Sequence, residues 1–400
     1  DTITATNRVQ GIYVSSGRDV QILNNNLNGS GSGQNTPALY MSGVTSLSLP
    51  GGVVVTGNTF VNSAAAVRFD AMTNLVISDG SIGGSNVIFT APAGLTTVTA
   101  YPLYLNNVDN SSVRNLNLSW AGLYQTGNAL QADNNSANLL IQNNDLSNRS
   151  YGLQVNNGVD VQVLSNNMSG SSTYAMYLNA ITATALPGGV SVSGNNYSNS
   201  ANGVYLITMN NLVISDGSAG GTNINLTDGV GTHTLTTVPG TALQLQNVDN
   251  TTVTTLNLSW NGFSWRGTGL YLWNGSDTVT LQNLTINNRA NGINVNGGRD
   301  VQVLNNNLSN SGSSSGNPAL YMIGVTSLSL PGGVVVTGNT FANSNTAVRL
   351  ENMASLVISD GSVVGSNVTF AAVSGITTTT NLPLYLRNVD NSSVSNLDLS

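Results

Sequence analysis

Asp70 and Asp133 are the carboxylates in this 400-residue chain whose spacing best suits paired acid–base work. On one face of a stacked sheet, two strand spacings apart, they stand roughly 9.6 Å from each other. That is near the upper edge of the ~6.5–9.5 Å separation with which two carboxyl groups hydrolyse a glycoside by inversion. Glu351 falls in the same column, but the second-repeat counterpart of Asp70 is Ile207, so the pair is not repeated. His233, the single histidine, lies in Gly231-Thr232-His233-Thr234 without a nucleophile or carboxylate at motif spacing. The recurrent acids Asp19, Asp160 and Asp300, then Asp79, Asp216 and Asp360, then Asp109, Asp249 and Asp390 each sit in a turn beside Gly or Asn. Hydrogen bonding to nearby backbone explains that placement. Calcium takes carboxylates and carbonyls together, yet copies a full repeat apart cannot share one ion. The expectation is therefore no catalytic group, no metal and no cofactor.

The aromatic residues offer a surface instead. Reading the outward position of successive strands gives Tyr13, Tyr40, Arg68, Tyr104, Gln131, Gln154, Tyr177, Tyr205, Gln244, Tyr271, Asn294, Tyr321, Arg349 and Tyr385. Tyr in register stabilises adjacent strands by ~0.5–1 kcal/mol per pair, and a stripe of such rings also suits sugar stacking or lateral association. Trp265 and Trp273 have no counterpart in the first repeat and are expected to be exposed. Trp120 and Trp260 are assigned to the interior, at the position of Leu27. The binding candidates are thus Tyr13, Tyr40, Tyr104, Tyr177, Tyr205, Tyr271, Tyr321, Tyr385, Trp265 and Trp273.

These positions are fixed by repetition. Asn7-Arg8, Asn148-Arg149 and Asn288-Arg289 mark three copies of about 140 residues. Leu-Pro-Gly-Gly-Val recurs at Leu49, Leu186 and Leu330, and Leu-Val-Ile-Ser-Asp-Gly-Ser at Leu75, Leu212 and Leu356. The reading is one continuous β-solenoid over 1–400, with internal repeats 8–148, 149–288 and an incomplete 289–400. Each repeat divides into five coils of roughly 28 residues. A coil opens on an apolar-x-apolar strand such as Ile12-Tyr13-Val14 or Leu103-Tyr104-Leu105, followed by a second short strand, a polar turn and one more inward residue. The period-two alternation assigns one face to the core, and no helical crossover intervenes. About fourteen coils of an all-β, right-handed parallel β-helix result.

Asn25, Asn58, Asn144, Asn166, Asn195, Asn306 and Asn339 share the second turn, as a ladder of side chains that bond from coil to coil. Asn also tolerates the left-handed backbone such a turn needs. Leu118, Leu258 and Leu284 are expected to interrupt it. With this turn, and with the Gly11-to-Asn26 pattern, the chain resembles the right-handed β-helices of the pectin-lyase-like superfamily and the carbohydrate-associated β-helix repeats of secreted and surface proteins. The resemblance implies the fold. For activity it implies a range, since that superfamily holds lyases, hydrolases, spikes and adhesins.

Only 7% of residues are charged, all ten basic ones are Arg, and the net charge is −7. That balance excludes a nucleic-acid partner, which needs clustered cations. No apolar run approaches the ~18 residues of a membrane span, so no membrane insertion is expected. Asn-x-Ser/Thr triplets such as Asn28, Asn117, Asn196, Asn257 and Asn307 arise readily in so Asn-rich a chain. Neither terminus reads as a cap, which suggests an excerpt of a longer array or end-to-end stacking. The function expected from these features is a non-enzymatic extracellular or cell-surface shaft or adhesin that self-associates end to end or laterally. The alternatives are a carbohydrate-binding β-helix and, behind it, a polysaccharide lyase or hydrolase.

Overall fold

A computed structural model describes residues 3–45, 53–78, 87–89, 95–183, 190–215, 222–228, 234–327, 334–354, 356–359, 368–370, 379–390 and 392–395. The Leu-Pro-Gly-Gly-Val copies at Leu49, Leu186 and Leu330, the turn acids Asp79, Asp216 and Asp360, and His233 lie outside the described residues. The chain forms a right-handed parallel β-helix. Its residues cluster into two compact units, 1–200 with 228–230 and 201–227 with 231–400, so the division falls inside the second sequence repeat.

In the first unit, seven strands stack in parallel: Ile12–Ser15, Leu39–Ser42, Ala65–Thr73, Tyr101–Asp109, Asn128–Asp133, Tyr151–Asn156 and Tyr174–Asn179. The second unit stacks Val204–Ile207, Leu243–Gln246, Thr268–Trp273, Asn291–Asn296, Leu320–Ile323, Thr346–Ala354 and Leu382–Asp390. Alternation decides which side chains are buried. Leu39, Met41, Val67, Phe69, Leu103 and Leu105 point inward and are essentially inaccessible, while the residues between them form the outward face.

A second parallel sheet holds one strand that the sequence pattern did not reveal. Val87–Phe89 returns after Val76–Ser78 and inserts between it and Val53–Thr56, pairing with both. Val368–Phe370 does the same between Val334–Thr337 and Leu356–Ser359. The inserted strand makes the third coil of a repeat longer than its neighbours: Arg68 faces Tyr104 across 36 residues, whereas Gln131 faces Gln154 across 23.

The ladder forms as a set of buried amides. Asn166 Oδ1 accepts from the backbone N–H and the Nδ2 of Asn144, at 3.0 and 2.9 Å. Asn166 Nδ2 donates in turn to Ile141 O and to Asn195 Oδ1. Asn306 and Asn339 repeat the pattern in the second unit. Two details of the sequence reading are corrected. The left-handed residue is the one before each ladder Asn: Asn24, Asn143, Ser165 and Asn305 have φ of 54–56°, and Gly57, Gly194 and Gly338 have φ of 68°. The interrupting residues are Leu116 and Leu256, with Leu284 as expected; the Leu116 and Leu284 backbone N–H groups donate to Asn144 and Asn306.

Leu118 and Leu258 instead occupy the inward Leu27 position, both fully buried, and Trp120 and Trp260 are only half-buried. A buried cation lies beside these positions in each unit. Arg149 is inaccessible and donates to the carbonyls of Leu118 (2.9 Å), Ser119 and Leu95 (both 3.1 Å) and Val98. Arg289 donates likewise to Leu258, Ser259, Leu235, Val238 and Gly240. Each guanidinium tethers a 3₁₀ turn, Leu95–Thr97 or Thr234–Thr237, to the coil wall. The Trp120 and Trp260 rings cover them at 5.3 and 5.9 Å. Burial alone lowers both arginines to about 10.

Candidate functional site

The outward face of the first sheet aligns the tyrosines in register, but it is not a continuous stripe of rings. Tyr13 is largely exposed and stacks on Tyr40, with centroids 4.8 Å apart. The next rung brings Arg68 between two rings, 5.5 Å from Tyr40 and 4.7 Å from Tyr104. Its fork bonds Asp70 twice, Nε to Oδ1 and Nη2 to Oδ2, both at 2.7 Å. Tyr40 donates its hydroxyl to the same carboxylate at 2.7 Å, and Nη1 donates to Gln34 O and Asn35 Oδ1. Asp70 is thus nearly buried and engaged on both oxygens. Burial opposes the charge of Arg68, but the hydrogen bond and charge of Asp70 outweigh it and raise its pKa.

Asp133 lies two rungs further, across Asn106, as the sequence spacing required. It accepts from Tyr104 (2.9 Å), Gln131 (2.7 Å) and Asn156 (2.7 Å). Burial first, then the hydrogen bond and charge of Asp133, push the Tyr104 phenol above its ordinary value. Asn128 links Gln131 to Gln154 with bonds of 2.9 and 2.8 Å, so the amides form one network with the carboxylate. Both carboxylates of the pair are therefore held by fixed donors, each including a tyrosine hydroxyl.

A second row of rings flanks this face and was missed by the sequence reading. Tyr101, Tyr151 and Tyr174 lie three residues before the outward column, with Asn128 at the same position on its strand. Tyr151 and Tyr174 are register partners 6.1 Å apart, and Tyr177 meets Tyr151 edge-on at 6.1 Å. Strand alternation assigns a residue three before an outward one to the opposite face, so the period-two pattern hid this row.

The second unit repeats the Arg sandwich 281 residues on. Arg349 sits 5.1 Å from Tyr321 and 4.8 Å from Tyr385. It bonds Glu351 through Nε (2.9 Å) and Nη2, while Tyr321 donates to Glu351 Oε2 at 2.6 Å. Burial opposes ionisation of Glu351, but Tyr321 and Arg349, with the charge of Arg387, hold it below the usual carboxylate range. Tyr321 is pushed up to about 12 by burial and by its bond to Glu351. Tyr205 is nearly buried and donates to Gln246, and Tyr271 stacks on Trp273 at 5.8 Å. Trp265 is not with them. It lies in an exposed loop, its indole N–H bonded to Asn310 O at 2.7 Å, and with Phe263, Gly262, Ser264 and Asn288 it lines a groove of about 480 Å³. Of the turn acids, Asp109 and Asp249 accept the backbone N–H of Ala137 and Asp277, a structural use.

No family profile matches the chain, and no curated protein matches it in sequence. Two solved structures match over most of their length. The Azotobacter vinelandii mannuronan C-5 epimerase AlgE4 A-module is 12% identical, with a TM-score of 0.34 over 82% of this chain and 90% of that one. The AlgE6 A-module is 13% identical, with a TM-score of 0.28 over 83% and 91%. Both matching structures are A-modules of mannuronan C-5 epimerases. The expectation of a non-enzymatic structural or adhesive fibre is corrected accordingly.

Proposed function

We propose that the outward face of the first sheet binds a polysaccharide chain running across successive coils. The carrying observation is the platform of the first unit, where Asn128, Gln131, Gln154, Asn156 and Asp133 form one hydrogen-bonded network rimmed by Tyr104, Tyr151, Tyr174 and Tyr177. Planar amides and a carboxylate suit sugar hydroxyls, and aromatic rings suit the apolar faces of pyranoses. Adjacent coils rise by ~4.8 Å, close to the length of one sugar unit, so a chain aligned with the stack meets one rung per residue. Rigidity favours binding, since each side chain is already fixed by its neighbours. The exposed Phe263 and Trp265 offer a second aromatic contact on the other unit.

In this reading the face recognises sugar without turning it over, and the chain works outside the cell or on its surface. Titration calorimetry against a panel of soluble polysaccharides tests it. Binding is expected, weakened about tenfold when Gln131 and Gln154 are both replaced by Ala, a loss of about 1.4 kcal/mol. Assays for new reducing ends and unsaturated products are expected to stay at background. Failure of the wild-type protein to bind any polysaccharide would refute the reading.

A further inference from the structure

The two faces differ in charge, and the difference carries information about the sugar. In the first unit Arg68 and Asp70 neutralise each other, and the other Arg68 contacts go to Gln34 O and Asn35 Oδ1. Asp133 is half-buried, and its hydrogen bonds come from neutral groups: a phenol and two amides. Asn106, also neutral, lies between the two carboxylates in register. The platform therefore presents one negative charge and no free guanidinium among the described residues.

In the second unit the balance is reversed. Arg387 occupies the position corresponding to Asn106, in register with Glu351. Its side chain is 59% exposed and lies 3.7 Å from Glu351 Oε1, which Arg349 already holds. One carboxylate there meets two cations, and Arg387 has donors to spare.

We propose that the first-unit face selects uncharged sugars and turns acidic sugars away, with Asp133 as the specificity-determining residue. The inference rests on the polysaccharide-binding reading above. A neutral sugar donates a hydroxyl to Asp133 and pairs its other hydroxyls with Gln131, Gln154 and Asn156. A uronate brings a second carboxylate beside Asp133 and finds no cation free to bind it, an arrangement that costs affinity in a partly desolvated site. Asp133→Asn keeps the shape and removes the charge, leaving one acceptor oxygen for Tyr104 and Gln131 and an amide NH2 facing Asn156.

The test uses the full chain carrying Arg387→Asn, which gives the second face the neutral residue found at Asn106 and silences its exposed cation. Cello-, manno- and galacto-oligosaccharides are titrated beside the uronates made by oxidising each of them. Neutral oligosaccharides are expected to bind at least about tenfold tighter than their uronates, with the ratio shrinking as salt is raised. Adding Asp133→Asn is expected to shrink that ratio about tenfold, mainly by tightening uronate binding. Thermal melting of each variant confirms that the fold is retained. Uronates binding as well as neutral sugars in the Arg387→Asn protein, or a ratio unchanged by Asp133→Asn, would overturn the proposal. Binding of neither class by the wild-type chain would instead remove the polysaccharide reading on which it stands.

Discussion

Replacing Arg149 with Met should cost the first unit about 3 kcal/mol. The substitution keeps most of the apolar stem and deletes the guanidinium that bonds four backbone carbonyls. Leu95 O retains the Val98 N–H, so three carbonyls, Val98, Leu118 and Ser119, lose their donor inside the coil. Orphaned buried acceptors cost about 1–3 kcal/mol each, roughly 6 in all. Removing a charge from the interior returns several kcal/mol, so the two effects oppose each other. The loss wins because the acceptors are main chain and cannot be exchanged for apolar groups along with the cation. For a unit of some 200 residues, that deficit lowers the melting midpoint by roughly 6–12 °C at 2–4 °C per kcal/mol. Thermal unfolding followed by tryptophan emission reports it directly, since Trp120 lies over the guanidinium. Arg149→Lys separates charge from geometry. An ammonium cannot reach four carbonyls spread around a planar fork, so it too should destabilise. A Met variant as stable as the wild type would show that the carbonyls find other donors and that the cation is dispensable.

Four further outcomes are expected. Arg289→Met should destabilise the second unit by a similar amount, and the double variant should show the sum, because the two arginines share no hydrogen-bond partner; unfolding of both single variants and the double checks this. Asn166→Ala removes the acceptor of two Asn144 donors and should cost about 2–4 kcal/mol in urea unfolding. Tyr321 has a folded value raised to about 12, so its contribution is complete below the ordinary tyrosine value of 10.0 and lost as pH rises from there towards 12. Phenolate absorbance should show late-titrating rings, with one fewer in Tyr321→Phe than in the wild type. Glu351 is shifted the other way, so its contribution is present above the ordinary carboxylate value of 4.5 and lost as pH falls through its lowered folded value; acid unfolding of Glu351→Gln should lack that loss.

The fold was legible because a solenoid writes its register into the sequence. Tyr13, Tyr40, Arg68 and Tyr104 fall opposite one another as the apolar-x-apolar strands require. The ladder asparagines were legible for the same reason. What escaped was set by particular side chains. Trp120 resembles a core residue in alignment, yet the interior at that level is filled by Leu118 and the Arg149 guanidinium. A fully buried arginine without a carboxylate breaks the usual preference, and no periodicity announces it. The inserted strand Val87–Phe89 was hidden because it pairs out of chain order. The Tyr column, its interruption by Arg68 and the Asp70 two residues on were visible, but the stacking of Arg68 between two rings and its fork on Asp70 appear only when side chains meet across rungs.

The proposed binding role of the face, beyond packing, is supported by where its polar groups are left. If stabilisation were the only role, in-register tyrosines alone would suffice, as Tyr13 and Tyr40 illustrate. Instead two repeats place an arginine between rings and a carboxylate two residues later, at Arg68–Asp70 and Arg349–Glu351. The middle repeat has Tyr205 and Ile207 at those positions and lacks both charges. The coil tolerates that replacement, with Tyr205 and Ile207 paired in register like the rest, so the ion pair is not a requirement of stacking. A partly buried pair adds little stability once its desolvation is counted. Its consistent effect is to lock two rings and a carboxylate in one geometry, which is the property a recognition surface needs.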